Sequence, residues 1–266
     1  MKEIPLDKPI ARGRTADVHE WDSRHVLKLF HSGFEVESVE YELKTAQAVH
    51  VSGVKAPAVQ GLVKVQGRNG LIYDRISGDS MLDMFPRKPW MAFAYSRILA
   101  QIHAQMHECV FDAAGVPAQR ARLQNKINLA DALSASLKTS LLDALQSMPN
   151  GDRVCHGDFH PANVLLSGSD ASVIDWMDAS RGNPLADVAR SSIIFLGSAE
   201  TRETPNLLMK AFIKLSHAAY LREYFRLRPK GKDEYQRWLP IVAGARLSEN
   251  IPELEEWLVK QAQQVR

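Results

Sequence analysis

Cysteine and long hydrophobic runs are scarce in this sequence. Only two cysteines, Cys109 and Cys155, occur among 266 residues, and neither belongs to a CxxC or Cys/His ligand pattern. We therefore expect two reduced, structural thiols. No run approaches the roughly 20 apolar residues that a bilayer span needs, and the N-terminal residues lack the apolar segment of a signal peptide. These absences predict a cytoplasmic protein with no membrane partner.

An excess of charge of one sign is also missing. The 33 Lys and Arg residues and the 31 Asp and Glu residues give a net charge of +2, without a long basic or acidic block. Nucleic-acid-binding domains usually carry a concentrated basic surface, so we expect no nucleic-acid partner. The hydrophobic fraction of 45% and the charged fraction of 24% are those of an ordinary globular chain. Nothing in the sequence indicates an oligomeric state.

Polar side chains of a catalytic type concentrate between residues 154 and 178, in the stretch VCHGDFHPANVLLSGSDASVIDWMD. Two short apolar runs bracket a polar loop, and a third run leads directly to Asp175. The loop contains Asp158 and, after four intervening residues, Asn163. A carboxylate that accepts the proton of a hydroxyl group, together with an amide oxygen and a second carboxylate that hold Mg²⁺, is what metal-assisted phosphoryl transfer needs.

The stretch HGDFHPAN, with Asp158 at its third position, resembles the catalytic loop of the aminoglycoside phosphotransferase and choline kinase branch of the protein-kinase-like fold. The triplet IDW at 174–176 resembles the metal-binding element, standing where protein kinases carry Asp-Phe-Gly. The resemblance implies that Asp158 is the catalytic base and that Asn163 and Asp175 are Mg²⁺ ligands. It also implies ATP, or GTP, as the phosphoryl donor and a hydroxyl group of a small molecule as the acceptor.

The resemblance extends to the N-terminal residues. Gly13, Arg14 and Thr15 precede a strand-like stretch, as the nucleotide-binding loop of the family does, and their backbone amides would then approach the phosphates. Only one of the three residues is glycine, so an ordinary hairpin turn is the alternative interpretation.

A lysine interrupts the apolar run VLKLF. Lys28 is costly in such a strand unless an acidic group pairs with it, and the alternative is an edge-strand lysine that reaches water. The helix predicted over 35–50 carries an apolar stripe that Glu42 flanks, whereas Glu37 and Glu40 lie away from it. The family resemblance agrees, and it implies that Lys28 contacts the phosphates and pairs with Glu42. The alternative is that Glu42 is a solvated helix glutamate.

The hydrophobic periodicity changes near residue 77, from period-two strands with one helix to helical stripes. Together with the resemblance, this change predicts an α+β, two-lobed protein-kinase-like fold. Residues 1–76 would form a nucleotide-binding lobe, a small β-sheet with one main helix. Residues 77–266 would form a larger, mainly helical lobe that carries catalysis and the substrate site.

Within these lobes the sequence predicts two local features. Two apolar strands flank residues 66–70, where Asn69-Gly70 suits a hairpin turn because it tolerates positive φ. The leucines from Leu129 to Leu145 recur at helical spacing and predict one core stripe.

Two polar features are predicted to be structural. His103 and His107 have the i, i+4 spacing of a zinc pair, but no third ligand is evident, so a structural or surface role is favoured. Asp187, near a helix start, resembles an aspartate with which the family braces its catalytic loop.

The sequence therefore predicts a phosphotransferase that moves the γ-phosphoryl group of ATP, with Mg²⁺, to a hydroxyl group of an aminoglycoside-, choline- or sugar-like acceptor. A nucleotide-binding pseudokinase and a protein kinase with a regulatory role are the alternatives. A pseudokinase should tolerate loss of a catalytic or metal-binding residue, yet all three are present. A protein kinase should carry Ala-Pro-Glu after Asp175, and none follows. No motif of the C-terminal helices specifies the acceptor.

Overall fold

The structure is a computed structural model that describes residues 8–112, 116–168, 170–201 and 206–265. The strands in these ranges are β1 (Ala11–Arg12), β2 (Ala16–Glu20), β3 (His25–Phe30), β4 (Val59–Val65), β5 (Arg68–Asp74), β6 (Asp79–Ser80), β7 (Arg153–Cys155), β8 (Val164–Ser167), β9 (Asp170–Val173) and β10 (Ser180–Gly182). The α-helices in the same ranges are α1 (Val36–Val51), α2 (Met81–Arg87), α3 (Ala92–Met106), α4 (Gln119–Leu129), α5 (Ala135–Ser147), α6 (Pro184–Ser198), α7 (Leu207–Leu227), α8 (Lys232–Arg246) and α9 (Glu255–Ala262).

The first five strands form one antiparallel sheet in the order β1-β2-β3-β5-β4. Helix α1 packs against β4 and β5, and Phe30, Val39 and Leu71 are fully buried between sheet and helix. Strand β3 pairs with a neighbour on each side. Lys28 therefore lies on a central strand, and the interpretation as an edge-strand lysine is wrong.

The hairpin between β4 and β5 turns at a different position from the one predicted. Gln66 and Gly67 form the turn with φ values of 50° and 78°, while Val65 pairs with Arg68 and strand β5 already contains Asn69. Gly70 serves close strand packing instead, because a Cβ atom there would lie 2.7 Å from Leu27 Cδ1.

The remaining helices build the larger part of the molecule around one extended hydrophobic core. Helix α3 packs on α7, and α8 packs on both α6 and α9. The largest fully buried side chains of this core include Trp176, Trp238 and Tyr220. Of the helices that the structure describes, none has the length and apolar character needed to cross a membrane.

The leucine stripe predicted between Leu129 and Leu145 belongs to two helices rather than one. Helix α4 ends at Leu129, which is 61% exposed. Helix α5 begins after Ser134, whose side chain caps it by accepting a hydrogen bond from the Leu137 amide at 3.3 Å. Only the later leucines of the stripe, Leu141 and Leu145, are fully buried.

Two small sheets shape the polar loop between β7 and β8. Strand β7 pairs with β10, and β8 lies between β6 and β9. Val164 at the start of β8 faces Val173 at the end of β9. This register brings Asn163 next to Ile174, whose amide donates to the Asn163 carbonyl at 3.0 Å. The β8–β9 hairpin therefore places Asp175 beside the polar loop.

Candidate active site

Lys28 of the five-stranded sheet forms ion pairs with a carboxylate of α1 and with a carboxylate that follows β9. Lys28 Nζ lies 2.7 Å from Glu42 Oε1 and 2.8 Å from Asp175 Oδ1. Tyr73 also donates its hydroxyl hydrogen to Glu42 Oε1 at 2.8 Å. Burial lowers the pKa of Lys28, but the charges of Glu42 and Asp175 outweigh this effect and raise it. The lysine is therefore held in its charged form.

The structure places the glutamates of α1 as the helical wheel predicts. The Glu42 side chain is 1% exposed, whereas Glu37 and Glu40 lie on the exposed surface of the helix. The contact between Lys28 and Glu42 is present, and the interpretation of Glu42 as a solvated glutamate is wrong. Tyr73 was not predicted, although its place in an apolar strand with Leu71 marks it as inward-facing.

The polar loop is anchored by Asp187, in the first turn of α6. Asp187 Oδ2 accepts the backbone amide hydrogen of His156 at 2.7 Å, and Oδ1 accepts that of Gly157 at 2.8 Å. Burial would raise the pKa of Asp187, but hydrogen bonds with His103 and His107 outweigh it and hold the pKa well below its usual range. The bracing predicted for Asp187 is present in the structure.

His103 and His107 are fully buried beside the same carboxylate. Their Nε2 atoms lie 3.1 and 3.3 Å from Asp187 Oδ2, and their Nδ1 atoms contact the hydroxyls of Tyr220 and Tyr224 at 2.6 and 2.8 Å. Asp187 is thus the third group that could join the histidines in a metal site. Because every ring nitrogen of the pair is already hydrogen-bonded, the cluster acts as a structural network, the role that the sequence favoured.

Asp158 lies between an arginine and a histidine. Arg190 Nη2 lies 3.2 Å from Asp158 Oδ1, and His160 Nε2 lies 3.4 Å from Oδ2. Burial would raise the pKa of Asp158, but the hydrogen bond with His160 and the charge of Arg190 outweigh it and lower the pKa. The side chain is nevertheless 33% exposed. Asp158 is therefore an ionised carboxylate that a substrate can reach.

Gly157 is required by the close approach of two backbone segments. Its φ is 80°, and a Cβ atom there would lie 2.4 Å from the carbonyl oxygen of Asp178. The Gly157 carbonyl in turn accepts a hydrogen bond from Arg190 Nε at 2.9 Å. Arg190 therefore fixes both the backbone and the carboxylate at this point of the loop.

Asn163 and Asp175 present oxygens that fit a hard cation such as Mg²⁺. Asn163 Nδ2 donates to the Asp158 carbonyl at 2.9 Å, which fixes the amide and leaves its oxygen on the other side. Asp175 has an unusual left-handed φ of 65° and a side chain that is 48% exposed. Amide and carboxylate oxygens are typical Mg²⁺ ligands, so both residues suit the metal-binding role.

The segment from Gly13 to Thr15 forms the turn between β1 and β2. The Gly13 amide donates to the Ala16 carbonyl at 2.9 Å, and the His31 amide donates to the Thr15 carbonyl at 2.9 Å. The side chain of Arg14 is exposed. The Gly13 amide is therefore occupied within the turn, which leaves those of Arg14 and Thr15 as the better candidates for phosphate contacts.

Several charged residues near Asp158 were not predicted from the sequence. They come from α4, the β9–β10 connection, α6, the end of α8 and the turn after it, and they are Arg122, Lys126, Asp178, Arg190, Arg246 and Glu249. Arg190 had a local signal, since it follows Asp187 by one helical turn and so shares its face. The cavity that all of them except Glu249 line forms only in the folded chain.

The β-sheet with its buried Lys28–Glu42 pair, the braced loop and the helical core define a two-lobed α+β fold of the protein-kinase-like class. The sequence matches the Phosphotransferase enzyme family over residues 8–230. The chain belongs to this family and is a phosphotransferase. Among curated proteins, none matches its sequence.

Solved structures share this fold. An aminoglycoside-3'-phosphotransferase of type VIII is 19% identical, with a TM-score of 0.63 over 92% of each chain. A choline/ethanolamine kinase family protein from Mesorhizobium loti is 17% identical, with a TM-score of 0.58 over 97% of this chain and 80% of the other. A thermostable mutant of aminoglycoside phosphotransferase APH(4)-Ia, in a ternary complex with AMP-PNP and hygromycin B, is 16% identical, with a TM-score of 0.65 over 96% and 91%. These similarities confirm the predicted fold class.

Proposed function

We propose that this phosphotransferase transfers the γ-phosphoryl group of ATP to a hydroxyl group of a small molecule. The observation that carries the proposal is the set of contacts that joins the five-stranded sheet to the segment after β9, in which Lys28 contacts both Glu42 and Asp175. The similar APH(4)-Ia structure contains AMP-PNP and hygromycin B, which supports ATP as the donor and a small molecule as the acceptor.

In this proposal Asp158 orients the acceptor hydroxyl and accepts its proton. The ionised state of Asp158 and its partial exposure suit that task. Arg190 is a positioning residue, because it holds the Asp158 carboxylate and the Gly157 carbonyl at the same time. Phosphoryl transfer depends mainly on positioning and on neutralising charge, so no strongly nucleophilic side chain is required.

The nucleotide would lie between the two lobes, whose boundary we place between residues 76 and 77. Mg²⁺, when bound, neutralises the charge on the phosphates, and Asn163 and Asp175 would be its protein ligands. Lys28 would contact the phosphates, held in place by Glu42. The turn from Gly13 to Thr15 would lie beside them.

Thermal denaturation with and without Mg·ATP tests the donor and metal assignments. We expect millimolar Mg·ATP to raise the melting temperature, since a ligand that binds only the folded state stabilises it, and we expect EDTA to abolish the shift. A panel of hydroxyl compounds assayed for ADP release then tests transfer. A melting temperature that does not respond to nucleotide and metal would contradict the proposal.

A further inference from the structure

Four cationic side chains converge on a narrow cavity beside the polar loop. They are provided by α4, α6 and α8, and they are Arg122, Lys126, Arg190 and Arg246. The cavity has a volume of about 40 Å³, which is enough for a water molecule or a small polar group. Gly157 also lines it, so the cavity lies one residue from Asp158.

Four carboxylates lie among these four cations, and Asp187, which anchors the polar loop, is one of them. Arg122 and Lys126 share Asp178, which lies 3.3 Å from Lys126 Nζ. Arg190 Nη2 lies 3.2 Å from Asp158 Oδ1 and 2.6 Å from Glu249 Oε1. Four positive and four negative side chains therefore balance one another around the cavity.

Arg246 is the cation without a close partner. Its side chain is only 11% exposed, and the nearest carboxylate oxygen recorded for it, Glu249 Oε2, lies 3.8 Å from Nε. Nε and Nη1 are buried and have no hydrogen-bond partner within the described part of the chain. Burial and the charge of Arg190 lower the pKa of Arg246 to about 10, and the charge of Arg14 acts in the same direction. A buried guanidinium with unpaired donors is destabilising until an anion or an ordered water binds to it.

We propose that Arg246 binds an anionic group of the acceptor, a carboxylate or a phosphate, while the acceptor's hydroxyl group lies at Asp158. This inference rests on the proposed function and names the substrate class for the same site. Guanidinium donors match the oxygens of both anions, and a buried guanidinium with unpaired donors repels a cationic group placed against it. The acceptor is then a small hydroxy acid or a phosphorylated sugar or alcohol, in contrast to cationic aminoglycosides and choline.

Equilibrium binding to the Mg·ADP-saturated protein tests the anion site without requiring turnover. The charged probes are D-glycerate, D-gluconate and glucose 6-phosphate, and the uncharged counterparts are glycerol and glucose. We expect at least one charged probe to bind about tenfold or more tightly than its counterpart. Equal affinities across every pair overturn the inference. A preference for the acids or for the sugar phosphate identifies which anion the site takes.

Variants of α8 assign the effect to Arg246. Arg246→Gln should weaken binding of the preferred anion about 10- to 100-fold and leave the uncharged counterpart unchanged. Arg246→Lys should retain part of the affinity because it keeps the charge. Arg237→Gln is the matched control, since Arg237 is an exposed arginine of the same helix outside the cavity. Should the Gln variant not fold, the wild-type comparison of charged and uncharged probes still decides.

ADP release separates failure of this inference from failure of the proposed function. The proposed function fails if Mg·ATP does not bind or if no hydroxyl compound is phosphorylated. The inference alone fails if choline, kanamycin or a neutral sugar has the highest kcat/KM. The inference also fails if Arg246→Gln weakens the binding of Mg·ATP but leaves the binding of the anionic probe unchanged. Arg246 would then bind the γ-phosphate of ATP and not the acceptor.

Discussion

Lys28 and Glu42 form an ion pair in which the lysine ammonium lies 2.7 Å from a carboxylate that is 1% exposed. Strand β3 and helix α1 hold the two residues, and Asp175 contacts the same ammonium from the other lobe. Because Glu42 keeps Lys28 at a fixed point next to Asp175, the pair positions a cation where the phosphates would lie.

Glu42→Gln should lower kcat/KM for Mg·ATP about 10- to 100-fold, the effect of losing a hydrogen bond to a charged group. Glu37→Gln and Glu40→Gln are controls on the exposed surface of the same helix and should stay within about twofold of the wild type. Steady-state kinetics with a responsive acceptor measure all three. A large loss in Glu40→Gln with normal Glu42→Gln would show that the pair has no role in turnover.

The polar loop and the Lys28–Glu42 pair were predictable because their signals are local. The loop lies between short apolar runs in one stretch of sequence, so Asp158 and Asn163 had to be neighbours. The pair follows from the side-chain periodicities of one strand and the next helix, whose residues are 14 positions apart. The predicted position of the hairpin turn was wrong for a local reason. Gly70 lies in strand β5 against Leu27, and the turn is formed by the preceding glycine, Gly67.

The cavity beside the polar loop was not predictable in the same way. Arg246 follows the buried Val242 by one helical turn, so periodicity could have placed it on the inner face of α8. No sequence pattern, however, indicates that this face meets Arg190, or that Asp178 pairs with two cations of α4. Such contacts depend on how the helices pack, which single-sequence periodicity does not encode.

Arg190→Gln should move the acidic limb of the kcat profile to higher pH. The charge of Arg190 helps to keep the pKa of Asp158 low, so its removal raises that pKa and protonates the base at a higher pH. Glu249→Gln is the paired control, because it removes the other carboxylate on Arg190 and leaves the arginine beside Asp158. If the acidic limb of Arg190→Gln stays at the wild-type pH, Arg190 does not control the ionisation of Asp158.

Buried His217 should make the protein less stable in acid. Burial lowers the pKa of His217 from 6.5 to about 4, so the unfolded chain binds the proton more readily than the folded one. The contribution of the neutral His217 side chain to the free energy of unfolding is complete above pH 6.5 and is lost as the pH falls towards 4. Urea denaturation at pH 7 and at pH 4 measures how far the free energy of unfolding falls between these two pH values. We expect this fall to be about 2–3 kcal/mol smaller in His217→Gln than in the wild type. Parallel pH dependences for the two proteins would contradict this assignment.

Asp158 and Asp175 should fail in different ways when each is changed to asparagine. Asp158 lies beside Arg190 and His160 and donates no ligand to the proposed metal, so Asp158→Asn removes proton acceptance while preserving shape. Turnover should fall by about 10² to 10⁴, with little change in the affinity for Mg·ATP. Asp175 is a proposed metal ligand and a partner of Lys28, so Asp175→Asn should weaken nucleotide binding in a Mg²⁺-dependent manner.

Calorimetric titration of both variants with nucleotide, at low and at saturating Mg²⁺, gives the binding side of this comparison. Turnover with a responsive acceptor gives the catalytic side. The assignment requires that Asp158→Asn binds Mg·ATP nearly as the wild type does and that excess Mg²⁺ partly restores binding in Asp175→Asn. If Asp158→Asn loses metal-dependent affinity as strongly as Asp175→Asn, Asp158 is a metal ligand. If Asp158→Asn retains near-normal turnover, another group accepts the proton, because asparagine cannot act as the base.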